Sequence, residues 1–445
     1  MANAVLGLSR YLLTIFIIFY TFHCFVVFIF KSEEERTLFY VIQNILMVFT
    51  HVLGFYVLSE RSGNRDLLFI CAFQEVMFFA LIILYRMLYP KASRLITNNV
   101  CFMLAVSFII LTRLSYVKAM KQFVIVAVSL ALTLVIPFVI SRLESVLKRY
   151  TLYYGVGGII ILLAMMTRGA VTNGSKITLT IGGMTFQPSE IVKVLFVFFI
   201  AGMLSDEEST DPDTGLPDRN RIISTLLISA LHILILAMCK DLGTAMIFFV
   251  VALFMIYASL KKPVILAGGL GLGVLASVAG YRLFSHVRVR VAAWRDPFLD
   301  IEGKGYQLSQ SLFAIGTGSW AGMGLLMGSP DKIPVVEADF IFSAISEEMG
   351  CLFSICLILI CLSNFLMFMN ISMSIRDQYF KVISLGLAVN YGFQVFLTIG
   401  GVTKLIPLTG VTLPLVSYGG TSIMSNLIMF AIIQGLYIIK KGSLD

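Results

Sequence analysis

The chain has 445 residues, of which 58% are hydrophobic and 13% are charged. A soluble protein of this length would form two or three domains with polar surfaces, and this composition excludes both that class and a disordered chain. The seven cysteines lie mostly inside apolar stretches without paired spacing, which argues against a secreted disulfide scaffold. The net charge of +8 comes from short Lys and Arg clusters between apolar stretches. Such clusters are typical of lipid-headgroup anchors, so we predict no nucleic-acid binding.

Apolar runs follow one another along almost the whole chain. A transmembrane helix needs ~20 mostly apolar residues, and the sequence contains about thirteen runs of roughly this kind. They lie at 9–30, 37–58, 67–89, 98–116, 122–141, 150–166, 189–204, 221–238, 242–260, 263–284, 339–369, 380–400 and 409–439. The sequence therefore predicts an all-α polytopic membrane protein.

Polar residues interrupt these runs at length in two places, 168–188 and 285–338. A third stretch, 205–221, mixes acids with Pro and Gly and is predicted to be a solvated loop. When the long 285–338 stretch is left out of the count, Lys and Arg favour a cytoplasmic side that includes Arg86 and Lys440. Residues 285–338 are then a large extracellular loop.

The run at 189–204 begins with charged residues. An ionised group in hydrocarbon costs ~2.5–3.5 kcal/mol on insertion scales, so it needs a partner or a function. Pro188 suits a first helical turn, and Glu190 and Lys193 are three residues apart, so they share one face and can pair. They form either a structural ion pair or the lining of an outward-facing cavity.

The 285–338 stretch supplies cations, and an acid follows it. Arg290 belongs to its basic end, and Asp339 starts the next apolar run. Cations stabilise a diphosphate leaving group and a carboxylate can accept a hydroxyl proton, although Asp339 could equally be a dipole partner in a first helical turn.

The glycines at 316–324 lack the Gly-Lys-Ser/Thr of a phosphate loop. The four histidines form no metal-ligand spacing.

Five motifs in a fixed order resemble the SEDS family of bacterial elongation, division and sporulation proteins (RodA, FtsW, SpoVE). They lie at 186–193, 241–245, 305–311, 339–350 and 407–422. The resemblance covers about 96–440 and implies a core of about ten helices. We therefore predict accessory N-terminal transmembrane helices in residues 1–95, about three in number, and a SEDS-like glycosyltransferase core in residues 96–445.

The resemblance implies a peptidoglycan glycosyltransferase that polymerises lipid II, the undecaprenyl-diphosphate-linked precursor, at the outer face of the bacterial cytoplasmic membrane. It implies a class B penicillin-binding protein as the partner that cross-links the glycan. The family's catalytic aspartate falls on Asp339, which would act as general base, and a divalent cation (Mg or Mn) could assist the departing diphosphate. Substrate contacts are expected from Gln187, Glu190, Lys193, Arg290, Gln307, Glu337, Lys404 and Ser417.

Three positions depart from the family pattern. Val335 and Glu337 stand where the family has Glu and His, and Thr178 replaces an aromatic residue. These departures leave open a second function, a catalytically silent scaffold for a penicillin-binding protein. A third function also stays open, because a flippase that moves the lipid-linked precursor across the membrane could use the same charged cavity.

Overall fold

The computed structural model describes residues 2–30, 32–172, 175–181, 184–205 and 217–442. These residues form eighteen α-helices and three short strands. The helices are α1 (Ala2–Val26), α2 (Glu33–Ser62), α3 (Asp66–Leu88), α4 (Arg94–Leu114), α5 (Tyr116–Thr133), α6 (Ile136–Arg142), α7 (Glu144–Arg149), α8 (Thr151–Arg168), α9 (Pro188–Leu204), α10 (Arg219–Met238), α11 (Leu242–Leu260), α12 (Pro263–Leu283), α13 (Ser285–Arg295), α14 (Tyr306–Gly318), α15 (Ile341–Met349), α16 (Cys351–Ser374), α17 (Gln378–Val402) and α18 (Gly420–Gly442). The strands are β1 (Ala170–Thr172), β2 (Ser175–Ile181) and β3 (Met184–Phe186).

The predicted fold class, a helical polytopic membrane protein, is confirmed. Within the described residues, 12 helical segments are long and apolar enough to cross a membrane. The predicted run at 189–204 is not among them, because α9 has only 17 residues. The sequence analysis did not predict the antiparallel sheet β1-β2-β3, which occupies part of the 168–188 interruption.

Helix boundaries follow local signals in the sequence. Ser32 caps α2 through a capping box with Glu35, and Gly63 ends that helix in a left-handed conformation. Pro188 lies in the first turn of α9, as predicted. Asp241 caps α11 by accepting a hydrogen bond from the Thr244 amide.

Two predicted segments differ from the structure. The stretch 285–338 contains helices α13 and α14 and a 3-10 turn at Pro330–Lys332, so much of it is not loop. The apolar run 339–369 is divided into α15 and α16, because Gly350 has a φ of 94° that no helix continues. Most of the predicted loop at 205–221 lies outside the described residues. The extracellular position of 285–338 stays a prediction.

The chain divides into two compact units. Unit 1 comprises Met1–Ala131, Arg290–Asn364 and Thr398–Gly419. Its central helix is α4, which is buried from Leu95 to Leu111 and packs against α2, α3 and α15. Helix α15 is buried at all nine positions and packs against α14, where the Ser311 and Ser343 hydroxyls are 2.7 Å apart.

Unit 2 comprises Leu132–Val289, Phe365–Leu397 and Gly420–Asp445. Its centre is α9, which packs against α8, α10, α11 and α18. The ring of Phe196 on α9 lies 4.6 Å from the ring of Phe248 and 5.2 Å from that of His232. The apolar core therefore surrounds the helix that carries Glu190 and Lys193.

Candidate functional site

Asp339 lies in a turn that immediately precedes α15 in unit 1. The helix begins at Ile341 with Phe340 as its N-cap residue, so Asp339 lies just outside the helix instead of within its first turn. The residue is partly buried. Helix α16, the membrane-spanning segment that follows, begins twelve residues later at Cys351. Asp339 therefore lies outside the 12 candidate membrane-spanning segments of the described residues, although the predicted apolar run 339–369 included it.

The backbone before Asp339 is held by the segment that precedes α18. The Tyr418 amide donates to the Glu337 carbonyl at 2.8 Å, and the Ser417 hydroxyl donates to the Ala338 carbonyl at 2.6 Å. The same hydroxyl accepts a hydrogen bond from the Leu413 amide at 2.9 Å. Ser417 was predicted to contact substrate, but its hydroxyl is buried and used within the protein. We interpret Ser417 as a residue that positions Asp339, and its substrate contact stays a prediction.

Helix α5 forms hydrogen bonds with the segment that precedes α18. The Gln122 side chain donates to the Ser417 carbonyl at 3.0 Å and accepts from the Gly419 amide at 3.1 Å. Lys118, one helical turn earlier, forms an ion pair with Glu337 and lies 5.8 Å from the centre of the Tyr418 ring. The sequence analysis missed Lys118. The only available signal was a lysine one turn before Gln122 at the start of an apolar helix.

Arg290 and Asp339 approach the same glycine. Arg290 Nη1 donates to the Thr409 carbonyl at 3.0 Å. A Cβ atom built on Gly410 would lie 3.5 Å from Asp339 Oδ2 and 3.7 Å from Arg290 Nη2. Gly410 has a φ of 74°, which a residue with a side chain rarely adopts. The structure thus brings together the predicted acid and the predicted cation around a backbone position without a side chain.

Burial raises the pKa of the Asp339 carboxyl to about 6. The Arg290 guanidinium opposes this rise and the Glu337 carboxylate adds to it. A carboxyl with this pKa is mostly ionised at neutral pH yet is a better proton acceptor than an ordinary aspartate. The arrangement suits a general base.

Two other residues that were predicted to contact substrate, Lys404 and Gln307, also belong to unit 1. Lys404 has a left-handed backbone with a φ of 62°, and its carbonyl accepts a hydrogen bond from the Trp294 indole at 3.1 Å. Gln307 is exposed on the first turn of α14. Within the described residues, no side-chain hydrogen bond joins Gln307 or Lys404 to Asp339, and their substrate contacts stay predictions.

The charged residues predicted on α9 form a buried ion pair in unit 2. Lys193 Nζ lies 3.0 Å from Glu190 Oε2, and the two side chains are only 3% and 6% exposed. Lys193 also donates to Gln394 Oε1 on α17 at 3.0 Å. The predicted pairing is confirmed. The sequence analysis missed Gln394, although an amide in the middle of an apolar helix was a usable signal.

Gln187 is the residue before α9, and its side chain donates to the Ser189 hydroxyl at 3.3 Å. That hydroxyl donates to Asp241 Oδ2 at 3.5 Å. The Ser425 hydroxyl donates to the Glu190 carbonyl at 2.6 Å. The start of α9 is therefore a polar network, and Asp241, the first residue of the 241–245 motif, belongs to it.

Within the described part of the chain, no three His, Cys, Asp or Glu side chains are grouped so that they could hold a metal ion. The polar network at α9 and the acids near Asp339 do not form such a group. The predicted divalent cation is therefore not supported by a ligand set in these residues.

A family model described as cell cycle protein, of the FtsW, RodA and SpoVE type, matches residues 66–441. The chain belongs to this family. The FtsW/RodA/SpoVE match includes α3, which the sequence analysis grouped with the accessory helices, and it begins after α1 and α2. Together with its 12 candidate spans in the described residues, this membership makes the chain a multi-pass protein of the bacterial cytoplasmic membrane.

Relatives with names and a solved structure agree with this membership. The chain is 32% identical over 313 residues to the peptidoglycan glycosyltransferase RodA of Mycobacterium tuberculosis, a match over 68% of this chain and 66% of that protein. It is 35% identical over 312 residues to the probable peptidoglycan glycosyltransferase FtsW of Enterococcus hirae, over 65% of this chain and 75% of that protein. Its fold is similar to a chain of a peptidoglycan synthase complex, with a TM-score of 0.65 and 22% identity over 78% of this chain and 97% of that chain.

Proposed function

We propose that this protein is a peptidoglycan glycosyltransferase that polymerises lipid II into glycan strands during elongation, division or sporulation. The observation that carries the proposal is the approach of Asp339, whose pKa is raised to about 6, and of the Arg290 guanidinium to the same glycine, Gly410. The names of the M. tuberculosis and E. hirae relatives support the reaction class.

In the proposed reaction, a sugar hydroxyl of the acceptor attacks the anomeric carbon of a lipid-linked donor. Asp339 accepts the hydroxyl proton as the new glycosidic bond forms. The bond between the anomeric carbon and the diphosphate oxygen breaks, and the diphosphate leaves with the electron pair. Arg290 stabilises the negative charge of this leaving group, because a guanidinium can donate two hydrogen bonds to a phosphate at once.

Glu337 and Lys118 tune this site in the proposal. Glu337 is two residues from Asp339, and its negative charge makes ionisation of Asp339 harder. Its ion pair with Lys118 limits that effect and leaves the Glu337 carboxylate partly exposed for a substrate contact. Lys193 and Glu190 belong to unit 2, and their substrate contacts stay predictions.

The proposed partner is a class B penicillin-binding protein that cross-links the new glycan. The support for a partner is the fold similarity to a chain of a peptidoglycan synthase complex that coordinates polymerization and crosslinking.

The proposal is tested by supplying fluorescent lipid II to the purified protein in liposomes, alone and with candidate penicillin-binding proteins. We expect polymeric glycan on the side where lipid II is supplied. Movement of labelled lipid across the bilayer without polymer would establish the flippase alternative. Co-purification of a partner without any polymer, even when that partner is added, would establish the scaffold alternative.

We expect the polymerisation rate to rise with pH through about 6, because only the ionised Asp339 carboxylate can accept a proton. Lys118→Met leaves the Glu337 charge without its cation, so the pKa of Asp339 should rise and the profile should move to higher pH. Glu337→Gln removes that charge, so the profile should move to lower pH. Initial rates measured between about pH 5 and about pH 8 test this. Identical profiles for the three proteins would contradict the assignment of Asp339 as the titrating base.

A further inference from the structure

The segment Ser319–Gly328, here called the glycine segment, has an unusual backbone. Its residues Ser319, Gly322, Gly324 and Leu326 have φ angles of 51°, 78°, 99° and 61°. Left-handed backbone is unfavourable for residues with a Cβ atom, so Ser319 and Leu326 store strain. Such a conformation persists only where surrounding contacts hold it.

The glycine segment is bonded to the C-terminal end of α15. The Met323 amide donates to the Glu347 carbonyl at 2.9 Å, and the Gly324 amide donates to the Glu348 carbonyl at 2.8 Å. The Ser329 amide, just after the segment, donates to Glu347 Oε1 at 2.9 Å. Asp339 lies immediately before the other end of this nine-residue helix. The segment and Asp339 are thus linked through one short, buried helix.

Three arginines donate hydrogen bonds to main-chain carbonyls of the glycine segment. Arg113, at the end of α4, donates to the Gly328 carbonyl at 3.3 Å and pairs with Glu348 at 2.7 Å. Arg10 on α1 donates to the Gly322 carbonyl at 3.2 Å, and Arg61 on α2 donates to the Leu325 carbonyl. Arg10 and Arg61 precede residue 66, where the family match begins. The central carbonyls of the segment are therefore held by helices that the family match does not include.

We propose that α1 and α2 hold the glycine segment through Arg10 and Arg61 and thereby position α15 and Asp339 for the reaction. This inference rests on the proposed function, and it assigns a role to helices for which the sequence analysis derived none. Arg10 and Arg61 are positioning residues, since they act through the segment and α15. Arginines at the ends of membrane helices commonly anchor to lipid headgroups, but an anchor has no need of main-chain carbonyls 264 and 312 residues away in sequence.

The test compares the full-length wild type with Arg10→Met/Arg61→Met, Arg61→Met and Arg61→Lys in lipid nanodiscs. The control is Arg65→Met, since Arg65 is exposed and its side chain makes no hydrogen bond or ion pair within the described residues. Amide hydrogen exchange of a peptide spanning 319–328 is followed together with kcat and KM for lipid II. Exchange in α4 reports whether each variant is folded.

In the double variant we expect exchange of the Met323 and Gly324 amides to become about tenfold faster, because local opening of the segment is no longer resisted. We expect kcat to fall by ~10- to 100-fold with little change in KM, because a displaced base impairs the reaction more than binding. Arg61→Lys, which retains one donor, should recover part of both effects. Arg65→Met should behave as the wild type.

Unchanged exchange in the double variant overturns the inference, even if the wild type makes no polymer. Faster exchange with an unchanged kcat overturns the positioning of Asp339. Equal effects of Arg65→Met and Arg61→Met also overturn it, because the cause would then be loss of positive charge in general. A wild type without polymerase activity defeats the proposed function alone, since the exchange measurement still decides whether α1 and α2 hold the segment.

Discussion

Asp339→Asn is expected to reduce the rate of lipid II polymerisation by ~10²- to 10⁴-fold, the usual contribution of a general base. Asparagine keeps the size of the side chain but cannot accept the hydroxyl proton. The backbone should be unaffected, because Glu337 and Ala338 are held through their carbonyls by Tyr418 and Ser417. The measurement is the initial rate of glycan formation by the purified protein, with its partner present.

The matched control for this variant is Glu337→Gln, the same kind of change on a carboxylate two residues earlier. Glu337 is ion-paired with Lys118 and is not the proposed proton acceptor. Its replacement should shift the pH profile and lower the rate far less than Asp339→Asn does. If Asp339→Asn polymerised lipid II at the wild-type rate, or if Glu337→Gln were equally inactive at every pH, the assignment of the base would fail.

Lys193→Met should have the largest effect on stability, lowering the free energy of unfolding by about 3–5 kcal/mol. The reason is that Glu190 would keep its negative charge in a position only 6% exposed, with its cation gone. The double variant Glu190→Gln/Lys193→Met should recover a large part of the loss, because no unpaired charge remains. Denaturant unfolding in a mild detergent measures these differences.

Lys262→Met is the control for that series. Lys262 is an exposed lysine that precedes α12, and its replacement should change the free energy of unfolding by about 0.5 kcal/mol or less. A loss for Lys193→Met as small as this would mean that the Glu190 charge is solvated in the native protein. It would then favour the cavity-lining interpretation of Glu190 and Lys193 over a structural ion pair.

Unfolding measurements and steady-state kinetics on the Glu190 and Lys193 variants together distinguish the two alternatives that the sequence left open for α9. A buried pair that is essential for stability and not for substrate affinity is structural. A pair whose removal raises KM for lipid II with little effect on stability contacts the substrate. The present geometry, with Lys193 bonded to both Glu190 and Gln394, already explains how two charges are tolerated in an apolar helix.

The amino-acid sequence alone was sufficient to predict most of the membrane-spanning helices and the residues that begin several of them, although α9 is too short to be a candidate span. Apolar runs and capping residues act within one or two helical turns, so Pro188 in the first turn of α9 and the three-residue spacing of Glu190 and Lys193 could be interpreted directly. The family motifs similarly identified Asp339 and Arg290 as candidate site residues before their positions were known.

Only the tertiary structure decided how Asp339 is held. Lys118 pairs with Glu337 across 219 residues, and Ser417 bonds to Ala338 across 79. Arg61 reaches Leu325 across 264 residues. Such contacts depend on which helices pack together, and the apolar faces that drive packing do not specify a partner. The polar interruption at 285–338 was therefore sufficient to predict a functional site. Only the fold showed its two helices, its strained backbone and the arginines that bind that backbone.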